Sequence, residues 1–351
     1  MAAGPAPEGQ QPATDALAGP GFDISGGEGL AHPTAGMVLH RVLATSARTF
    51  LLNDLDTDPT GAPEPCESID SLTFRTGPRP LWAQTAPTAP ESARRRATDT
   101  ERIHQSRIAM RRIRSNLRTF RLVVDPSWGT SLRAELAWYG RCLGRSRDLH
   151  VIRDIVVGRG PGVIDPYDIL HIESVITARL ADVMADIAAI RGGARRFQLT
   201  EQMMVLWEGP DFKAKAGRPA EDVLPPMLGR SWHDLRGAAR RARKDATTAN
   251  LHAVRIRSKN LRYGCETVAL IDGGPARKTA RAAERLQVKL GDLLDATSSI
   301  AWFEDLARQR PDLAEPLARL VRRQRDAADH ARKGWKGELK EIERRWRRWH
   351  A

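Results

Sequence analysis

HQSRIAMRRIR at residues 104–114 and HAVRIRSKNLR at residues 252–262 decide how this chain is read. Both follow the pattern His-x-x-Arg-Ile-x-x-(Arg/Lys)-x-x-Arg, at an offset of 148 residues. Each is followed by Leu-Gly-x-x-x-Asp: LGRSRD from Leu143 and LGDLLD from Leu290, at an offset of 147 residues. Two separate motifs that share nearly one offset argue for duplication of a single unit.

At about 100° per residue, His104, Arg107, Arg111, Arg114 and Arg118 fall within a sector of roughly 80° on a helix. Ala109, Met110, Ile113, Leu117 and Phe120 gather on the opposite side. The second copy behaves alike: His252, Arg255, Lys259 and Arg262 share one sector, opposite Val254, Leu261, Cys265 and Val268. Like charges at i, i+3 and i+7 repel unless something compensates them. A solvated face, which is the alternative, usually interleaves acids with its cations, whereas Ile103–Val124 contains no acid. The pattern points to an anion track. Arginine suits phosphate because its planar fork donates paired hydrogen bonds and stays charged when partly desolvated. Histidine can donate from either ring nitrogen, and a nearby phosphate raises its protonated fraction.

The Leu-Gly-x-x-x-Asp segments extend the track. Arg141, Arg145 and Asp148 share a face at i, i+4 and i+7, with Arg147 to one side, and Lys289 precedes the second segment. Asp148 and Asp295 are expected to orient arginines or cap backbone groups. As bases they are expected to be poor, because neighbouring cations depress a carboxyl pKa.

Composition agrees with an anionic partner. The 351 residues carry 56 Lys and Arg against 43 Asp and Glu, a formal charge of +13. That excess favours polyanions such as nucleic acid, polyphosphate or an acidic membrane face, without choosing among them. Cys66, Cys142 and Cys265 are far apart and in no ligand spacing, which argues against a disulfide framework or a zinc site. No other cofactor or metal is expected. No secretory pattern and no apolar run of membrane-spanning length is visible, so a cytoplasmic protein with no membrane span is expected.

Residues 1–33, rich in Gly, Pro and Ala, read as a disordered tail. A first helix is expected over 34–54, then an irregular insertion over 56–97 in which only SLTFRT (71–76) has strand character. Helical patterning fills the rest, with breaks at Asp125-Pro126, at GRGPG (158–162), at Arg191-Gly192-Gly193, near Asp245–Ala249 and at Asp272–Pro275. A Pro- and Gly-containing joint over 208–226 separates a first half, 34–208, from a second half, 223–350. The fold class is all-α. Trp138, Trp207, Trp232 and Trp302 are expected in the core, and Trp346 and Trp349 are expected to pack at the end of the last helix.

HQSRIAMRRIRSNLRTFR, LGRSRDLHVI, LHAVRIRSKNLRY and LQVKLGDLLDATSS, in that order, resemble the signature segments of the CHAD family, the conserved histidine α-helical domain. The resemblance covers about Gly36 to Trp349. It implies two four-helix bundles related by pseudo-two-fold symmetry, with basic residues lining a central channel that binds inorganic polyphosphate. On this chain that role falls on His104, Arg107, Arg111, Arg114, Arg118, His252, Arg255, Lys259 and Arg262, with Arg141, Arg145 and Lys289 as additions. Binding without catalysis, and association with polyphosphate granules, are the corresponding expectations. Weaker, sequence-independent nucleic-acid binding is the alternative, and a phosphoanhydride-processing enzyme the more remote one. Asn260 stands where the first copy has Arg112, which thins the second track. The Glu-x-Glu-x-Lys signature of the triphosphate-hydrolysing domain that often accompanies the family is missing, so that activity is not implied.

Overall fold

The computed structural model describes residues 32–54 and 91–350, with side chains from Asp99 onward in the second stretch. Almost all of the expected tail and most of the insertion therefore lie outside the described residues, as do SLTFRT and Cys66, but residues 91–97, expected to be irregular, are already helical. Among the described residues eleven α-helices follow in order: α1 Ala35–Asp54, α2 Glu91–Thr119, α3 Pro126–Cys142, α4 Gly144–Arg159, α5 Pro166–Arg191, α6 Ala194–Glu208, α7 Ala220–Lys244, α8 Thr248–Asp272, α9 Gly274–Gln309, α10 Ala314–Arg332 and α11 Trp335–Trp349. Among the described residues the only extended pairings are isolated bridges, such as Thr34 with Pro219. The all-α reading holds.

Three helix starts fall where local chemistry puts them. Asp125 caps α3, its side chain accepting from Ser127 N and Trp128 N, and Pro126 occupies the first turn, where its missing N–H costs nothing. Asp165 and Pro166 start α5 in the same way. Thr247 caps α8. Two boundaries depart from the expected pattern. α7 begins at Ala220, ahead of Pro225 and Pro226, which lie inside the helix. Those prolines remove the donors for the carbonyls of Glu221 and Asp222, and both of these residues are exposed, so water can serve the freed groups. A second departure is the interruption at Leu143 between α3 and α4. The corresponding stretch of the second half runs unbroken through α9.

Counting α3 and α4 as one interrupted rod, α1 to α6 and α7 to α11 are each a run of five helical segments. α1 packs on α2 as α7 packs on α8, and α4 packs on α5 as α9 packs on α10. The apolar faces of α2 and α8 close into one continuous core: Met110, Ile113, Leu117 and Phe120 are at most 2% exposed, and Val254, Leu261, Cys265 and Val268 are at 0%. Each such fully buried side chain contributes about 1.5–3 kcal/mol. Trp138, Trp207, Trp232 and Trp302 pack against this core. Trp346 is stacked between Trp232 and His350, at centroid distances of 5.0 and 4.0 Å. The aromatic end of α11 is therefore packing, as expected.

The first half is locked by a buried carboxylate. Asp54, at the end of α1, is 1% exposed. It accepts from the Tyr139 hydroxyl of α3 at 2.5 Å and from Arg196 Nε of α6 at 3.0 Å, while Arg196 Nη2 donates to its backbone carbonyl at 2.8 Å. Burial and the Asp54 charge push the Tyr139 hydroxyl well above its ordinary pKa. Breaking a buried pair leaves the surviving charge uncompensated, so Asp54→Ala should lose about 3–5 kcal/mol in urea denaturation. Removing the exposed Arg145–Asp186 pair through Asp186→Ala should cost no more than about 1 kcal/mol.

Candidate functional site: two cationic stripes meeting

α2 and α8 cross in the interior, and their polar flanks are tied directly. Arg112 Nη2 donates to Glu266 Oε2 at 2.7 Å, with both side chains under 9% exposed. Ser115 Oγ donates to Asn260 Oδ1 at 3.3 Å, and Thr267 Oγ1 to Asn116 Oδ1 at 2.9 Å. Arg112 therefore belongs to the crossing and not to the track, so Asn260 opposite it is no loss to the second stripe.

Beside this crossing the cations converge. His104 is pushed down to about 3 by burial, then by Arg147, Arg111, Arg107 and Lys259. Lys259 is pulled down to about 6 by burial, then by Arg111 and Arg255, with Asp295 opposing. Arg107 is lowered to about 10 by burial and Arg111. Arg255 is lowered by burial, with Asp295 opposing and Arg111 reinforcing the shift. His252 sits at the exposed edge, lowered by burial, Arg255 and Lys259. Residues 148 positions apart in sequence thus act on one another across the two halves. Arg111 lies between the two rows, and its buried Nε has no hydrogen-bond partner.

The Leu-Gly-x-x-x-Asp motif has a local explanation. Arg107 lies across the start of α4 and donates through Nη1 to Gly140 O at 2.8 Å. A Cβ on Gly144 would stand 2.7 Å from that nitrogen. In the other half Arg255 Nε donates to Gln287 O at 3.4 Å, and a Cβ on Gly291 would stand 3.3 Å from Arg255 Nη2. Each repeat glycine leaves room for the guanidinium of the preceding repeat helix to rest on the helix backbone. The repeat aspartates face the same cations without a direct hydrogen bond or ion pair. Burial raises Asp148 and Asp295, and each feels nearby arginine: Arg107 at Asp148, Arg255 and Arg147 at Asp295. The expected depression of their pKa is thus corrected, because desolvation outweighs the cations. Asp148 also feels Asp295 from the other half.

Four expected site residues stand elsewhere. Arg262 is bound by Glu266 at 2.6 Å and Glu284 at 3.1 Å and serves the helix crossing. Arg145 turns to Asp186 of α5 at 2.7 Å. The residue that joins the cluster from α4 is Arg147, about 200° away on the wheel. Lys289 lines a cleft of about 410 Å³ between α4, α9 and α10, with Arg159, Asp292 and Arg323. Arg118 reaches Asp234 of α7 at 3.2 Å. Arg114 keeps to the stripe beside Arg133 and Arg141 of α3, which lower it after burial. Among the described residues no group of three or more His, Cys, Asp or Glu is placed to hold a metal ion.

A methyl group at residue 144 should displace Arg107 while relieving a helix glycine, a change worth about 0.5–1 kcal/mol toward stability. A crystal structure of Gly144→Ala should show the Arg107–Gly140 bond broken with the melting temperature maintained. Gly291→Ala, where the clearance is larger, should move Arg255 less.

A family model described as CHAD domain matches residues 85–304. Among solved structures the fold is similar to PptA from Streptomyces chartreusis, with a TM-score of 0.61 and 18% identity over 88% of this chain and 99% of that chain. It is equally similar to the CHAD domain from the plant Ricinus communis, with a TM-score of 0.62 and 18% identity over 89% of this chain and 93% of that chain. A search of curated proteins finds no match. The family match spans more than half of the sequence, and all four repeated motifs lie within it: the chain belongs to the CHAD domain family.

Proposed function

We propose that the protein binds inorganic polyphosphate, without turning it over, in a basic channel shared by two duplicated helical halves. The observation that carries this reading is the convergence of His104, Arg107, Arg111 and Arg147 with Arg255 and Lys259, all basic side chains, from both halves. Packing so many cations together is unfavourable in the empty protein, and a linear polyanion removes the penalty. The repeated motifs and the matching helix pairings support the duplication. A cytoplasmic protein, recruited to polyphosphate granules, fits this role. No helix among the described residues is long and apolar enough to cross a membrane. Base stacking on single-stranded nucleic acid would need open aromatic faces. Here the aromatic share is 5%, and the tryptophans named above are packed.

Affinity then comes from charge neutralisation and counterion release and falls with salt. Arg111→Ala or Lys259→Ala should weaken binding of long-chain polyphosphate and make the slope of log K against log salt shallower by about one where the residue is charged in the complex. The double variant should weaken binding further. In the empty protein either change should leave the melting temperature unchanged or slightly raised, since repulsion is relieved. Unaltered affinity and slope in a folded double variant would return the stripes to a solvated-face role.

Protons report on the same site. Lys259 lies between Arg107 and Arg111 of α2, Arg255 of α8 and Asp295 of α9, and is pulled from 10.5 to about 6. At pH 8 it is mostly neutral when the site is empty, and a bound polyanion restores the ammonium. Calorimetry at pH 8 in buffers of different ionisation heat should show proton uptake that Lys259→Met removes. Affinity should rise as pH falls toward 6. The stability of the empty protein moves oppositely. Between pH 10.5 and about 6 the unfolded lysine holds a proton that the folded one lacks, so this group's contribution falls as pH falls and is constant below about 6.

A further inference from the structure

Arg118 ends the α2 stripe, and its surroundings come from distant parts of the chain. Its Nη2 donates to Asp234 Oδ2 of α7 at 3.2 Å, and Arg257 Nη1 of α8 donates to the same oxygen at 3.2 Å. Arg133 of α3 and Arg230 of α7 lie near enough to act on the Arg118 guanidinium. Its pKa is lowered first by burial, then by Arg257, with Asp234 opposing, then by Arg133 and Arg230. Among the described residues neither Arg133 nor Arg230 makes a hydrogen bond or ion pair. Four arginines from four helices are therefore neighbours, and one carboxylate, Asp234, pairs with only two of them. Arg118, Arg133 and Arg257 are half-buried, so water screens their repulsion only in part. A pairing that served the fold alone would match acids to cations, as Glu266 and Glu284 do around Arg262.

This cluster lies on the same helix as the convergence described above. Arg107 and Arg118 are eleven residues apart, about 16 Å along α2 at 1.5 Å per residue. Arg114 bridges the interval, coupled to Arg111 on one side and to Arg133 on the other. We propose that Arg118, Arg133, Arg230 and Arg257 form a second phosphate subsite for the same ligand, so that the protein selects polyanions by length. The inference rests on the polyphosphate reading above. A short phosphoanhydride such as inorganic triphosphate occupies the buried convergence alone. A long chain reaches both clusters, and its second contact is intramolecular, at an effective concentration in the millimolar range for a flexible tether. Asp234 holds Arg118 and Arg257 on one oxygen while the subsite is empty, and it is the acid that opposes an incoming phosphate.

The test compares dissociation constants of inorganic triphosphate and long-chain polyphosphate for the full chain and two variants. In Arg133→Ala/Arg230→Ala the ratio of long-chain to triphosphate affinity should fall at least about tenfold, with the long-chain salt slope shallower by about two. Asp234→Asn carries the opposite sign and should tighten long-chain binding, so a folding defect in one variant leaves the other decisive. Equal long-chain affinity and slope in the wild type and the double arginine variant would overturn the subsite and leave the polyphosphate reading standing. Triphosphate bound as tightly as the long chain by the wild type would do the same. Failure of the wild type to bind long-chain polyphosphate would overturn both.

Discussion

Mutual repulsion between like charges is the constraint around which this fold is arranged. Burial, then Arg111, Arg255 and Arg107, pull Lys259 down to about 6, and Arg147, Arg111, Arg107 and Lys259 add in the same way to the burial of His104. Nothing in that group attracts, so its geometry must be imposed from outside. The imposition comes from the α2–α8 crossing, where Glu266 accepts from Arg112 on one oxygen and from Arg262 on the other. A buried ion pair contributes little net stability, because desolvation offsets the attraction, but it is costly to break and so fixes how the two helices cross. The apolar backs of the same helices supply the stability, and the ionic node supplies the register.

The two halves use the same parts unequally. In each, the repeat glycine lets an arginine of the preceding repeat helix lie on the backbone of the next segment, Arg107 at Gly144 and Arg255 at Gly291. In the first half, α4 is fastened to α5 by two pairs, the exposed Arg145 with Asp186 and the half-buried Arg153 with Glu173. In the second half α9 packs on α10 with Arg325 paired to Glu304, and Lys289, Asp292 and Arg323 line a cleft that α4 also borders through Arg159. The acids differ as well. The first stripe meets no acid on its own helix between Ile103 and Val124, whereas the second carries Glu266 one turn beyond Arg262 and loses that arginine to it. The central group is thus richer in cations from the first half.

Much of this was legible in the sequence, for physical reasons. Helical periodicity separates apolar from cationic faces on both repeat helices, and caps such as Asp125-Pro126 mark helix starts without reference to the rest of the chain. What periodicity cannot supply is the partner on another helix. Arg145 and Arg147 are equally basic, and only the position of Asp186 on α5 decides that Arg145 turns away while Arg147 joins the cluster. Asp234, which holds Arg118, and Arg133 and Arg230 beside it, lie in segments with no repeat signature. Glu266 was within reach, since its i+4 spacing from Arg262 is a helix ion-pair signal. The direction of the Asp148 and Asp295 shifts follows from burial, which the motif alone does not reveal.

The central claim is that the converged cations serve one class of ligand, a flexible linear chain of phosphates that can enter between the halves. Competition measures this most directly: long-chain polyphosphate against single-stranded and duplex DNA, at matched phosphate and salt concentrations, for the full chain. The account predicts that polyphosphate displaces both nucleic acids at well below equal phosphate, and duplex DNA most readily, because a stiff double helix cannot follow a buried stripe. Equal competition by all three, or preference for either DNA, would contradict it and mark the cations as a general polyanion surface.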